Sequence, residues 1–216
     1  MFRPLLAPRE SPAEMKDFFE LLPYQLYVSP KIDGIRSVNI NGVCLSRTLT
    51  KLPSEQVQNL FGEYVFLDGE LVVGSPTDGD IVYNRTYSHV MSREKPGDVS
   101  LYVFDICDED EANTPFEDRL KIAEDYVSSL DNPRVKFLHH DLIRDYEGLI
   151  NYENEMLAAG YEGIMMRTPK GPYKHNRATY LDGIIYKLKR FVDAEGLLVD
   201  FNQGETNVNE LEVDER

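Results

Sequence analysis

The sequence has no tryptophan, only two cysteines in 216 residues, and far fewer basic than acidic side chains, 23 against 38. Each scarcity excludes something. Two cysteines cannot build the disulfide framework of a small secreted scaffold; Cys44 and Cys107 both fall in segments with strand character and read as core residues in a reducing compartment. No apolar run approaches the roughly 18 residues of a membrane span, and the start, MFRPLLAPRE, carries two prolines and no long apolar stretch, so the expectation is a soluble, untargeted protein with no membrane partner. The formal charge of −15 argues against a strong non-specific binder of nucleic acid, because phosphate contacts need clustered Lys and Arg. Net charge is not local charge, however. The acids bunch in CDEDE (107–111) and in the last dozen residues, which read as solvated loop and tail, so any basic face must be built elsewhere.

What is present suffices for one sizeable core: 42% of the residues are hydrophobic and 28% charged. Ser11-Pro12-Ala13-Glu14 is a capping box with proline at the first helical position, opening a helix to about Leu22. The period then becomes two in 25–29, 35–40 and 43–47, the last two joined by Asn41-Gly42, a dipeptide suited to the positive φ angles of a tight hairpin. A short helix is expected over 54–61, strands over 64–73 and 100–106, and a helix after Thr114-Pro115-Phe116-Glu117, read as a second capping box. A further helix should fill 146–159 and end at Gly160, followed by strands at 162–167 and 183–191. Strands and helices mix without a βα repeat. The class is therefore α+β, antiparallel sheets flanked by helices, with one domain over 1–190. Residues 191–216 look like the opening of another small β unit too short to form its own core.

Three groups of residues carry chemistry. Lys31-Ile32-Asp33-Gly34-Ile35-Arg36 lies between a strand and a hairpin. It is either a surface lysine beside an aspartate or a nucleophilic amine whose pKa must be lowered by cations, metal or burial. Period two puts Lys187 and Lys189 on one strand face, where they either guard an edge or flank an anion such as phosphate. Asp68-Gly69-Glu70 and Glu162-Gly163 place acids in apolar strand runs, which calls either for arginine partners or for a hard cation such as Mg²⁺.

In chain order, KIDGIR (31–36), Ser46-Arg47, DGE (68–70), VFD (103–105), EG (162–163) and KLK (187–189) resemble the successive motifs of the covalent nucleotidyltransferases, which comprise DNA ligases, RNA ligases and mRNA capping guanylyltransferases. PKIDGIR, NGV-x-x-SR, Ser88-x-x-Met91-Ser92, PFEDR and YK-x-x-R-x-T (173–179) are most similar to the compact viral and phage ATP-dependent DNA ligases. That resemblance implies an ATP-grasp-like nucleotidyltransferase (adenylation) domain, with the OB-fold domain that follows it in the family largely absent and 191–216 its truncated start. It implies that Lys31 attacks the α-phosphate of ATP and carries AMP, that Phe104 stacks on adenine and that Glu70 holds the ribose. Lys187 and Lys189 contact the α-phosphate, Glu162 and Glu70 serve Mg²⁺, and Asp33 orients the 3′-hydroxyl side during sealing. Arg36, Arg47 and Arg177 engage phosphates of ATP or of the DNA nick. The implied partner is nicked duplex DNA, the implied state a monomer, and the implied location the cytoplasm, that of the host for a viral or phage protein. An RNA ligase, a capping enzyme or a non-catalytic nucleotide- or nick-binding module of the same fold remain alternatives. Met165 and Met166 read as packing, and His89, His139 and His140 carry no metal-like pattern.

Overall fold

A computed structural model describes residues 2–9, 16–20 and 22–190. Two sheets face each other across a cleft. The first has four strands, β1 (Leu26–Lys31), β7 (Asp141–Ile143), β8 (Gly163–Arg167) and β9 (Ile185–Leu188), in the order β7-β1-β8-β9 and antiparallel throughout. The second has five, β2 (Ile35–Ile40), β3 (Val43–Leu45), β4 (Leu67–Val73), β5 (Val99–Ile106) and β6 (Val135–Phe137), in the order β3-β2-β4-β5-β6. Antiparallel sheets were expected, and among the named strands of the described residues the exception is the parallel pair β5–β6, reached through the intervening helix α4 (Phe116–Ser129).

The hairpin at Asn41-Gly42 forms as its sequence demands, with φ of 50° and 79° at the two turn residues. Helix α2 (Glu55–Phe61) is capped by Ser54, whose side chain accepts from the Val57 amide. Helix α5 (Tyr146–Ala158) is capped by Asp145, and Gly160 follows it with a φ of 98°. At α4 the second capping box does not form: Pro115 is itself the cap, Thr114 Oγ1 donates instead to Glu111, and the Glu117 amide donates to the Pro169 carbonyl. Helix α1 covers Lys16–Glu20; its expected cap at Ser11–Glu14 and the β unit beyond residue 190 lie outside the described residues. Helix α3 (Ile81–Val90) was not legible in the sequence, and the strand expected from residue 64 begins at Leu67, because Phe66 takes a positive φ of 63°.

The core is divided between the layers. Behind the second sheet, Phe61, Leu67, Leu71, Val99, Leu101 and Ala123 form one cluster with α2 and α4. Behind the first, Leu26, Val28, Leu149, Ile164 and Leu188 pack with α1 and α5. A third cluster, including Leu5, Val38, Cys107, Tyr173 and Ile185, lies where the sheets meet, and Cys44 belongs to the cluster behind the second sheet, so both cysteines are buried and free, as read from their strand setting. The chain crosses between sheets at 32–34, leaving β1 for β2, and at 138–140, leaving β6 for β7. Both crossings border the cleft. Among the described residues no helix is long and apolar enough to cross a membrane.

Candidate active site in the cleft between the sheets

β1 delivers Lys31 to the cleft. Leu26 and Val28 point into the core, so by alternation Ser29 and Lys31 face the other way, and both line a cavity of about 300 Å³. Pro30 is tolerated within this central strand because pairing with β7 has ended at Val28 and only β8 accompanies it. The turn at Gly34 is then forced by space: a Cβ there would collide with the Leu71 carbonyl oxygen and meet Glu70 Cγ at 2.9 Å. Close approach of this turn to β4 is what sets Lys31 and Glu70 on one wall.

The cavity gathers seven of the residues singled out in the sequence: Lys31, Arg36, Arg47, Glu70, Phe104, Arg177 and Lys187. Six cations border it (these, with Arg167, minus Glu70 and Phe104) against one carboxylate, so the local charge is the reverse of the net charge. Glu162 and Lys189 join from beside it: Glu162 accepts from Lys31 on Oε2 and from Lys189 on Oε1. Alternation in β9 holds as read, with Tyr186 and Leu188 buried in the core and Lys187 on the cavity side, where its Nζ donates to the Arg9 carbonyl. Glu162 is therefore shared by Lys31 and Lys189, while Lys187 stands on the cavity side with the arginines. Asp33 does not line the cavity; it acts on Lys31 through its field alone.

The electrostatics suit a nucleophilic amine. Burial lowers the Lys31 pKa, Glu70 and Asp33 oppose the shift, and the Lys189 and Lys187 cations reinforce it. Burial pushes the Glu70 carboxyl up to about 7, against the pull of Arg36 and Lys31. Asp68, one turn of the pleat away, is used differently. Its oxygens take Arg36 Nε at 2.5 Å, Arg36 Nη2 at 2.6 Å and Tyr173 Oη at 2.6 Å, with no exposure to solvent. The arginine partner considered in the sequence for these acids is therefore real for Asp68. Arg36, which lines the cavity, has its fork held by Asp68 while its guanidinium lies 4.6 Å from the Phe104 ring centre. Arg177 Nη1 donates to the Ala7 carbonyl at 2.6 Å, fastening the N-terminal segment over the cavity mouth.

Beneath Phe104 lies a network that sequence reasoning missed. Asp105, fully buried, accepts from Arg119 Nε at 2.9 Å, Arg119 Nη2 at 3.2 Å and Arg167. Burial alone would raise the Asp105 carboxyl, but Arg167 and Arg119 outweigh it and hold it below the usual carboxylate range. Met165 and His140, read as packing and as featureless, also line the cavity, whereas Met166 is buried in the core as expected. The signal for Met165 was present: in β8 it alternates with Ile164 and Met166, both wholly buried.

Among the described residues no three His, Cys, Asp or Glu side chains form a metal cage. Glu162 and Glu70 nonetheless fit Mg²⁺, which binds through one or two carboxylates and completes its shell with water and substrate phosphates. Both Glu162 oxygens already accept from lysines, so a cation at Glu162 would share the carboxylate with two amines.

The family model for the ATP-dependent DNA ligase domain matches residues 4–189, and the chain belongs to that family. It is similar to the DNA ligase of African swine fever virus (strain Badajoz 1971 Vero-adapted), with 22% identity across 89% of this chain and 50% of the relative. The chain spans about half the length of the curated relatives it matches in this way. Among solved structures it resembles the Chlorella virus DNA ligase-adenylate, with 30% identity, a TM-score of 0.74, and coverage of 90% of this chain and 71% of the other. The bacteriophage T7 ATP-dependent DNA ligase complexed with ATP shares the fold at 14% identity and a TM-score of 0.63, covering 87% of this chain and 68% of that one.

Proposed function

We propose that this domain adenylates itself on Lys31 with ATP, and passes the AMP to the 5′-phosphate of nicked duplex DNA as the adenylation domain of a DNA ligase. One observation carries the reading: a partly buried lysine with lowered pKa sits at a cationic cavity beside Glu70 and Phe104, flanked by Lys187 and Lys189. In its neutral form Lys31 attacks the α-phosphorus; a P–N bond forms, the bond to pyrophosphate breaks, and the amine proton is lost. Lys187 and Lys189 stabilise the charge that develops on the α-phosphate, while Arg47 and Arg177 hold phosphate oxygens at the mouth. Arg36 acts through Phe104 and Asp68, keeping the base-stacking ring in place. Glu70 accepts from the ribose.

Mg²⁺, when bound by Glu162 and Glu70, supplies charge neutralisation at the phosphates. Glu162 meanwhile sets the lysine cluster, and loss of its contact to Lys31 frees the amine. In the later steps an oxygen of the nick's 5′-phosphate takes AMP from Lys31, and the adjacent 3′-hydroxyl, positioned with help from Asp33, displaces AMP to close the strand. The cationic rim, set in an acidic surface, fits a short DNA footprint and a monomer acting where its DNA is, in the host cytoplasm for a viral protein.

The test uses adenylated protein freed of ATP, mixed with a duplex bearing one 5′-phosphorylated nick or with the matching RNA nick. Transfer of AMP to the DNA 5′-phosphate is the expected result. Transfer to RNA alone would replace the reading with an RNA ligase, and transfer to neither would leave a nucleotide-binding module.

A further inference from the structure

We propose that His140 reads the 6-position of the purine, accepting a hydrogen bond from the 6-amino group of adenine and so selecting ATP over 6-oxo purine nucleotides; this rests on the adenylation reading above. His140 stands on the 138–140 crossing, lines the cavity and is only 7% exposed. Its Nδ1 lies 2.9 Å from the Leu138 carbonyl oxygen, which can only accept, so Nδ1 carries the proton and Nε2 offers a lone pair.

Among the described residues no donor reaches Nε2. Yet it is not one of the sealed, unpartnered nitrogens, which are Arg85 Nε, both nitrogens of His89 and His175 Nε2. It is therefore open to the cavity. The ring is held edge-on against Phe116, with centres 5.5 Å apart. Burial and then the Arg167 cation lower the imidazole pKa to about 3, so the acceptor persists at any working pH.

The cavity lining is mixed in chemistry. Lys31, Lys187, Arg47 and Arg177 offer charge for phosphates, while Phe104, Ile32, Leu138 and Met165 offer apolar surface for a base, with the Arg36 and Arg167 guanidiniums 4.6 Å and 5.7 Å from the Phe104 ring centre. Of the uncharged polar side chains lining it, Ser29 can donate or accept and does not discriminate; His140 can only accept. An amino group satisfies it, whereas a 6-oxo group sets acceptor against acceptor.

The test compares ATP, ITP and purine riboside triphosphate, which lacks any 6-substituent, on the full chain with Mg²⁺, reading binding by calorimetry and Lys31 adduct formation by mass. The wild type should prefer ATP over purine riboside triphosphate by about tenfold, the worth of one hydrogen bond, and over ITP by more. His140→Ala should lose about tenfold toward ATP, leave purine riboside triphosphate unchanged, and bring the two within twofold. His140→Gln, whose amide oxygen can accept, should restore the preference, which a merely structural role would not do. Equal binding of all three by the wild type, or an equal loss toward all three in both variants, overturns the proposal. Preferential ATP binding without any adduct would sustain it while sinking the adenylation reading.

Discussion

Two sets of charges lie within one cleft and are treated in opposite ways. Asp68 with Arg36, and Asp105 with Arg119 and Arg167, are closed: the acids are wholly buried, each oxygen is met by a guanidinium or phenol, and like charges are kept apart by the opposite sign. Around Lys31 the arrangement is open. Lys31 and Lys189 share Glu162, Glu70 and Lys187 act on Lys31 through their fields, side-chain exposure at Lys31 is 23%, and burial lowers the lysine pKa while raising that of Glu70 to about 7. Fully buried pairs of opposite charge make scaffold; like-charge crowding at a partly exposed site leaves groups ready to exchange protons and partners. The difference assigns the roles that motif order alone leaves mixed, since DGE contributes Asp68 to the scaffold and Glu70 to the site.

The closed set should be the more sensitive in stability. Asp105→Ala strands two buried guanidiniums and should cost about 3–5 kcal/mol, lowering the melting temperature by roughly 10 °C for a chain of this size. A thermal melt within about 2 °C of wild type would show that the pairing is not structural. Gly34→Ala drives a methyl into the Leu71 carbonyl at the junction of the two sets, and should cost about 1–3 kcal/mol in urea unfolding while also displacing Lys31.

Glu70→Gln should behave in the reverse sense. Because its folded pKa of about 7 stands above the usual carboxylate value, the native state holds this proton more tightly, and wild-type stability falls as pH rises from about 4.5 through 7. The variant escapes that loss, so it should melt higher than wild type at pH 8, match it near pH 5, and bind ATP more weakly. A gain as large at pH 5 as at pH 8 would remove the charge from the explanation. The smallest effect is expected from Glu55→Ala, which breaks an exposed pair with Arg93 and should change stability by about 0.5 kcal/mol or less in the same urea assay.

Much of this was legible in the sequence because it rests on local rules. The Asn41-Gly42 hairpin, the end of α5 at Gly160 and the alternation in β9 follow from turn chemistry, capping and period two. Helix α3 was hidden because IVYNRTYSHV is rich in β-branched and aromatic residues that favour strands. Tertiary contacts decide it: Thr86 Oγ1 accepts from the Val73 amide, and Val82 and Val90 are buried. The short strands β6 and β7 were missed for a related reason, being three residues each and defined by their partners. The Asp105 network joins residues 14 and 62 positions apart, a pairing no spacing rule reports. His140 gave no signal either, because its value lies in which ring nitrogen the Leu138 carbonyl occupies.

The most direct measurement is a mass map of the purified chain after incubation with Mg²⁺ and ATP, beside Lys31→Ala. A single AMP on the peptide holding Lys31, absent in a variant that melts within about 2 °C of wild type, is the expected result, since the open cluster carries the chemistry and not the fold. AMP found on Lys187 or Lys189, or retained in the variant, would contradict it.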